Sequence, residues 1–167
     1  MKKLTNLLFT ALFVCAISNL AIAQEQGDIS VGAGVTYGFD LEEIGIQVNG
    51  TYTLNENMRV GADVIYWLMD DEFGDFTAME VNANFHYLFY NENDLVLYGL
   101  GSLGIHYVSY SFSMFGFSES VSDTELGLGI GAGLEYNLGA VKLFAEPRIF
   151  LSGIDQFAFS AGVRLPI

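Results

Sequence analysis

The sequence contains one motif with the spacing of a dinucleotide-binding loop, Gly-Leu-Gly-Ser-Leu-Gly from Gly99 to Gly104. In such a loop the glycines let the backbone approach a pyrophosphate, which rests on the N-terminus of the following helix. The motif does follow a strand-like run, Leu95 to Tyr98. However, the next residues, His106 to Ser111, favour β-structure over a helix. The context therefore argues against a nucleotide site.

The histidines and cysteine offer little material for catalysis or metal binding. His86 and His106 are the only histidines, and Cys15 is the only cysteine. A zinc site would need carboxylates as its remaining ligands. A serine hydrolase or acyltransferase would need His106 beside Ser109 or Ser111, and that spacing matches no such motif. We therefore predict packed histidines, no catalytic residue, no histidine-bound metal, no cofactor and no enzyme.

A short acidic stretch is a candidate site for a hard cation. It contains Asp70, Asp71, Glu72 and Asp75. Carboxylate oxygens are the ligands that Ca²⁺ prefers. A charge run of this kind is also typical of a solvated loop, which is the simpler interpretation. Both interpretations stay open from the sequence.

A secretory signal peptide is predicted over residues 1–23. The segment has a basic start, an apolar run from Leu7 to Ile17 and a small-residue ending at Ala21-Ile22-Ala23. Its apolar run is too short for a membrane helix. The predicted mature domain, residues 24–167, sets four cations against 20 acidic residues, a net charge of −16. That charge repels phosphate backbones and excludes a nucleic-acid partner.

The mature sequence repeats apolar residues at every second position, which is the period of a β-strand. For example, Ile44 and Ile46 alternate with Gln47 and Asn49. Seven segments follow this pattern, whereas the fifth, Leu95 to Tyr110, is apolar on both faces and its orientation stays open. Segments of about ten residues suit tilted membrane-spanning strands. We predict an all-β fold, an eight-stranded antiparallel up-and-down transmembrane β-barrel.

The connections differ between the two ends of the predicted barrel. Compact turns at 55–57, 91–94 and 137–139 are placed in the periplasm. The outer loops are short, so little of the chain is expected to project; they are Asp40 to Glu43, Asp70 to Asp75, Ser111 to Asp123 and Ser152 to Gln156. Aromatic residues gather near both rims, and we assign Trp67 to the outer belt and Tyr98 to the inner one.

Charged residues are predicted to lie inside the barrel. No charge falls on the predicted lipid face, whereas a soluble ligand-carrying barrel, the alternative, would place cations outside at no cost. An eight-stranded barrel is just wide enough for its own side chains. We therefore predict an ion-pair network that plugs the lumen, with a conducting passage as the alternative. Its members are Arg59, Asp63, Glu80, Glu135, Lys142, Glu146, Arg148 and Arg164.

The hairpin between the sixth and seventh strands allows a prediction of register. A two-residue loop within Asn137 to Ala140 would place Glu135 opposite Lys142 and Gly133 opposite Phe144. The glycines of the sixth strand would then give room to bulky neighbours. Pro147 removes a ladder donor, so we expect a local bulge there.

The chain resembles the small outer-membrane β-barrel family that includes the OmpA transmembrane domain and OmpX. The most family-like stretches are Leu95 to Tyr107, Phe144 to Arg148 and the alternating finish from Val163 to Ile167. The resemblance covers Asp28 to Ile167, although the family usually ends in Phe. It implies a monomer in a Gram-negative bacterial outer membrane, in contact with lipid and lipopolysaccharide. It also implies that the barrel-assembly machinery reads the last strand.

These observations support one leading function and two alternatives. The leading one is a non-enzymatic barrel with a side-chain-filled lumen, serving envelope integrity or surface interaction through acidic outer loops. The first alternative is a porin-like narrow channel for small solutes. The second, a lipid-modifying outer-membrane enzyme, has no recognisable serine and histidine motif to support it.

Overall fold

Eight antiparallel strands pair in sequence order and close into a barrel, which confirms the predicted architecture. The computed structural model describes residues 26–69, 75–114, 117–152 and 156–167. The predicted signal peptide lies outside these ranges. No helix in the described ranges has the length and apolarity needed to cross a membrane. The strands are β1 Ile29–Gly38, β2 Glu43–Asn55, β3 Met58–Leu68, β4 Asp75–Glu92, β5 Leu95–Met114, β6 Phe117–Asn137, β7 Lys142–Ser152 and β8 Gln156–Pro166.

Each strand turns apolar residues outward, and its polar residues lie inside together with glycines and some buried apolar side chains, as the two-residue period predicts. On β1, Val35 is exposed and its neighbour Thr36 is buried. β5, whose orientation the sequence left open, follows the same rule. Between Val96 and His106 the even-numbered residues, such as Ser102, face the lumen, and the odd-numbered residues, such as Leu103 and Ile105, face outward. The outer wall is therefore apolar around the whole barrel.

Two aromatic residues assigned to the rim belts lie in the lumen instead. Trp67 and Tyr98 are both buried, and each uses its polar atom inside the barrel. The Trp67 indole N–H donates to Glu80, and the Tyr98 hydroxyl donates to Glu146. A buried Trp or Tyr is stable where its polar atom has such a partner. The assignment failed because it used closeness to a rim and ignored the alternation along each strand.

The serine-rich segment Ser111 to Asp123 is not a loop, contrary to prediction. β5 and β6 run through it as paired strands as far as Met114 and Phe117. β5 and β6 contain 20 and 21 residues, whereas β7 and β8 contain 11 each. Serine recurs at every second position, at 111 and 113 on β5 and at 118, 120 and 122 on β6, so the strand period extends through the segment despite its polar composition. The prediction that little of the chain projects is therefore wrong for this hairpin.

The β6–β7 hairpin has a different register from the predicted one. Asn137 pairs with Lys142, so the loop has four residues, and Glu135 lies opposite Phe144. The longer loop is stabilised by the Asn137 side chain, which accepts from the N–H of Gly139 at 2.9 Å, and by a positive φ of 91° at Gly139. The shift is two residues, so every side chain keeps its predicted face.

The bulge expected at Pro147 is also absent. The register is unchanged on either side of Pro147, because Arg148 pairs with Gly131 and Ala145 pairs with Leu134. The ladder to β6 skips the positions between them, so the missing N–H interrupts the pairing without adding a residue. The register shift on this strand pair lies instead between Leu128 and Gly129.

Buried apolar side chains form a cluster near each end of the lumen. At the outer end, Ile65, Trp67 and Ala78 form a buried cluster, against which Leu41, Met69, Phe76 and Val108 pack. At the inner end a second buried cluster contains Leu88, Val96 and Tyr98. Tyr98 also donates to Glu146, so the inner cluster is continuous with the polar interior.

Candidate functional site

Six charged side chains form one continuous chain of ion pairs inside the lumen. Arg59 contacts Glu135 at 2.6 Å, and Glu135 also pairs with Arg164. Arg164 contacts Glu146 at 2.6 Å, which is 3.5 Å from Arg148. The chain ends where Arg148 contacts Asp63 at 3.1 Å. The charges alternate in sign, so each internal member has an opposite charge on both sides.

The chain of ion pairs crosses the barrel and returns to the strand where it began. Arg59 and Asp63, its two ends, both lie on β3. The members between them lie on β6, β8 and β7. All six side chains are buried. Buried charges are tolerated only when they are paired and hydrogen-bonded, and here the pairing links strands on opposite sides of the lumen.

Aromatic rings fill the inner half of this network. Tyr98 donates to Glu146 at 2.6 Å and accepts from Arg164 at 3.1 Å. The imidazole of His86 stacks on the Tyr98 ring at 4.8 Å and accepts from Arg59 at 3.0 Å. The guanidinium of Arg164 also lies 4.2 Å from the centre of the Phe144 ring. These contacts give Arg59 and Arg164 aromatic and hydrogen-bonding partners in addition to their ion pairs.

Amides and a hydroxyl surround the end of the network at Asp63. Its carboxylate accepts from Asn82 at 2.9 Å and from Asn84 at 2.5 Å. Asn84 in turn accepts from Ser102 at 2.7 Å. Asp63 therefore has amide donors from β4 in addition to its ion pair with Arg148.

Two predicted members, Glu80 and Lys142, lie in the lumen but outside the chain of ion pairs. Glu80 is near the outer end, where it accepts from Trp67 at 3.0 Å and from Gln156 at 2.8 Å. Lys142 is buried at the start of β7, opposite Arg164 of β8. Neither takes part in the five ion pairs described above.

The residues considered for catalysis do not form a catalytic arrangement in the described structure. His106 faces the lumen and packs edge-on against Phe150 at 4.9 Å. Ser109 lies on the opposite face of β5, because the two positions differ by an odd number. The side chain of Ser111 is outside the described part. Within the described residues, no group of three histidines, cysteines or carboxylates is arranged to hold a metal ion.

Asp70, Asp71 and Glu72 lie outside the described residues, as does the side chain of Asp75. Asp75 begins β4, where it pairs with Ser111.

Sequence reasoning found the charged members of the network but missed its neutral partners. Tyr98, His86, Trp67 and Gln156 each donate to or accept from a charged member. Alternation places all four on the lumen side. The alternation predicts an inward side chain for His86, beside Glu80 on the same strand, and the same rule applied to the aromatic residues would have identified Trp67 and Tyr98.

The charges outside the lumen are all negative in the described structure. The four arginines and lysines after residue 25 are buried. Exposed carboxylates occur at both ends, with Asp40, Glu42, Asp123 and Glu125 at the outer end and Glu56, Glu92 and Asp94 at the inner end. The surface that meets other molecules is therefore acidic.

Comparison with known proteins agrees with the geometry. A model of the outer membrane protein beta-barrel domain matches residues 7–164. A search of curated proteins finds no match. Among solved structures, the N-terminal β-barrel domain of Pseudomonas aeruginosa OprF is 15% identical, covers 86% of this chain and 100% of its own, and gives a TM-score of 0.60.

Two further structures have the same fold. Neisserial surface protein A is 21% identical, with 83% of this chain and 94% of its own covered and a TM-score of 0.60. Yersinia pestis Ail, solved with the heparin analogue sucrose octasulfate, is 22% identical, with 83% and 97% covered and a TM-score of 0.53. Given the family match over most of its length, this chain belongs to the outer membrane protein beta-barrel domain family.

Proposed function

We propose that this protein is a non-enzymatic outer-membrane barrel with a sealed lumen, which binds a cationic, extended polypeptide at the outer surface. The observation that carries the proposal is the long β5–β6 hairpin, which combines an unpaired strand edge with acidic side chains. If no such partner exists, we propose instead that the barrel serves the integrity of the cell envelope.

The unpaired edge belongs to β6. Pairing between β6 and β7 begins only at Leu128 with Ser152, so residues Phe117–Gly127 pair with β5 alone in the described structure. We call this segment the free edge. At its base the Ser152 hydroxyl accepts from the N–H of Leu128 at 3.1 Å, which ends the ladder. An unpaired edge offers backbone donors and acceptors to an added strand.

The charge on the free edge selects the partner. Asp123 and Glu125 are exposed there, and Val121 and Leu126 are 70% and 63% exposed. An extended segment with lysine or arginine among apolar residues complements this edge. The polyanion in the Ail structure has no counterpart here, because the described cations are all inside the barrel.

A channel is the alternative function, and the lumen argues against it. A conducting path needs continuous water, whereas a chain of six ion-paired side chains crosses the lumen, with the stacked rings of His86 and Tyr98 beside it. We also propose that the protein is a monomer. Its apolar outer wall would contact outer-membrane lipid and lipopolysaccharide. The barrel-assembly machinery would read β8 during insertion.

Neutralising the acidic groups of the free edge should weaken binding of a cationic strand. We expect Asp123→Asn/Glu125→Gln to lower the affinity for a short peptide of alternating lysine and valine about tenfold, since each exposed pair contributes up to about 1 kcal/mol. The measurement is fluorescence anisotropy of the labelled peptide with the folded protein in lipid nanodiscs, at low ionic strength.

The matched control is Glu56→Gln/Glu92→Gln, which makes the same charge change at the inner end. Binding to this variant should equal that of the wild type. A peptide methylated on alternate backbone nitrogens should bind less tightly, because it cannot complete the ladder. Equal losses in both variants, or equal binding of the methylated peptide, would refute recognition at the free edge.

A further inference from the structure

The even-numbered residues of β6 direct their backbone groups toward the free edge. At the base of that edge, the N–H of Leu128 donates to the Ser152 hydroxyl at 3.1 Å, and this hydroxyl lies 3.5 Å from the carbonyl oxygen of Leu126. Ser152 belongs to β7, so both backbone groups point away from β5. The direction alternates along a strand, and β6 pairs with β5 without a register shift. The N–H of Thr124 therefore also points to the side that has no partner strand.

Asp123 covers this backbone donor. Its carboxylate accepts from the N–H of Thr124 at 2.8 Å, and both residues are exposed. The carboxylate thus takes the hydrogen bond that the carbonyl of an added strand would otherwise accept. Charged side chains on edge strands are a common protection against unwanted strand pairing. Asp123 takes part in none of the five ion pairs among the described residues, so its carboxylate is accessible to a cation from outside.

Glu125 lies on the same face as Asp123 but makes no such contact. The two residues pair with His106 and Val108 of β5, whose side chains lie on the lumen side, so both carboxylates lie on that face of the hairpin. Glu125 is exposed as well. In the described part of the chain it accepts no hydrogen bond from the backbone. Glu125 therefore provides a matched control, with the same charge and face but without the contact to an edge donor.

From this geometry we infer that Asp123 guards the free edge against strands that carry no positive charge. The inference rests on the proposed function, because the same edge receives the cationic polypeptide. A strand with lysine or arginine opposite Asp123 attracts the carboxylate away from Thr124, whose N–H then donates to a carbonyl of the incoming strand. A neutral strand must break the contact between Asp123 and Thr124 without an ion pair in return. Asp123 is thus a specificity-determining residue of the edge.

The test compares two labelled peptides of equal length, one alternating lysine and valine and the other alternating serine and valine. Their fluorescence anisotropy is recorded with the folded full-length protein in nanodiscs. Asp123→Ala should raise the affinity for the serine peptide at least about threefold, because the N–H of Thr124 becomes free to pair. Glu125→Ala should leave that affinity at the wild-type level and lower only the affinity for the lysine peptide, by about threefold.

Amide hydrogen exchange provides a readout that needs no peptide. The protection factor of the Thr124 N–H should fall about threefold in Asp123→Ala and stay unchanged in Glu125→Ala. The inference is overturned by an unchanged affinity of Asp123→Ala for the serine peptide, by an equal gain in Glu125→Ala, or by unchanged protection of Thr124. If the lysine peptide does not bind the wild type, the proposed function is wrong, and the serine peptide and the exchange measurement still decide the role of Asp123.

Discussion

Replacing Arg164 with methionine should lower the free energy of unfolding by about 3–5 kcal/mol, the range for removing one partner of a buried ion pair. Arg164 is the central cation of the network, because it pairs with both Glu135 and Glu146. It also donates to Asn49 at 2.8 Å and to Tyr98 at 3.1 Å. Its loss leaves two carboxylates close together in a water-poor lumen.

The measurement is urea unfolding in detergent micelles. The folded fraction is read from an unheated gel, on which folded and unfolded protein migrate as separate bands. Arg164→Lys keeps the positive charge but lacks the planar guanidinium group with its several N–H donors. The free energy of unfolding should therefore fall less than in Arg164→Met. Adding Glu135→Gln to Arg164→Met should recover part of the loss, because one unpaired charge is removed. A change below about 1 kcal/mol, typical of surface pairs, would show that the lumen is solvated.

Adding a methyl group at Gly133 should lower the free energy of unfolding by about 1–3 kcal/mol, because the lumen becomes overpacked. A Cβ built at Gly133 falls on the ring and hydroxyl of Tyr98, closer than van der Waals contact allows. Tyr98 cannot move aside without breaking its hydrogen bonds to Glu146 and Arg164. Gly133→Ala therefore disturbs packing and the ion-pair network together.

Gly101→Ala is the matched control, because it adds the same methyl group to the outer wall. A Cβ at Gly101 meets nothing within 4 Å. Gly101→Ala should change the free energy of unfolding by no more than about 0.5 kcal/mol, as for other surface positions. Thermal unfolding of the two variants in the same micelles makes the comparison. Equal melting temperatures would place Gly133 outside a packed lumen.

The alternation of residue types was sufficient to predict which way the strands face. It gave the eight strands, the apolar wall and the inward side of the charged residues, because a barrel strand has only two faces. It could not identify contacts across the lumen. Those depend on the register of every strand pair, and the shift of two residues between β6 and β7 changes each predicted partner.

Gly133 illustrates this limit. The predicted hairpin placed Phe144 beside it, whereas in the structure Phe144 lies opposite Glu135 and the space above Gly133 is filled by Tyr98 of β5. A glycine in an inward position does indicate a bulky neighbour. Local sequence does not reveal which strand provides that neighbour, because the packing is set by the closure of the whole barrel.

The long hairpin was missed for a different reason. Serine does occur in strands. A serine-rich segment is nevertheless predicted as a loop when its composition is given more weight than its two-residue period. Serine recurs at every second position of the sequence from Ser109 to Ser113 and again from Ser118 to Ser122. Period was the better guide, and it would have predicted that both strands continue into the serine-rich segment.

The central claim is that ion-paired side chains seal the lumen, and planar-bilayer conductance tests it most directly. Full-length protein is refolded and inserted, and insertion is verified in the same preparation by the gel shift of the folded band. The account predicts no steady unitary current at either polarity of applied voltage. A reproducible unitary conductance from inserted, folded protein would contradict it and favour the channel.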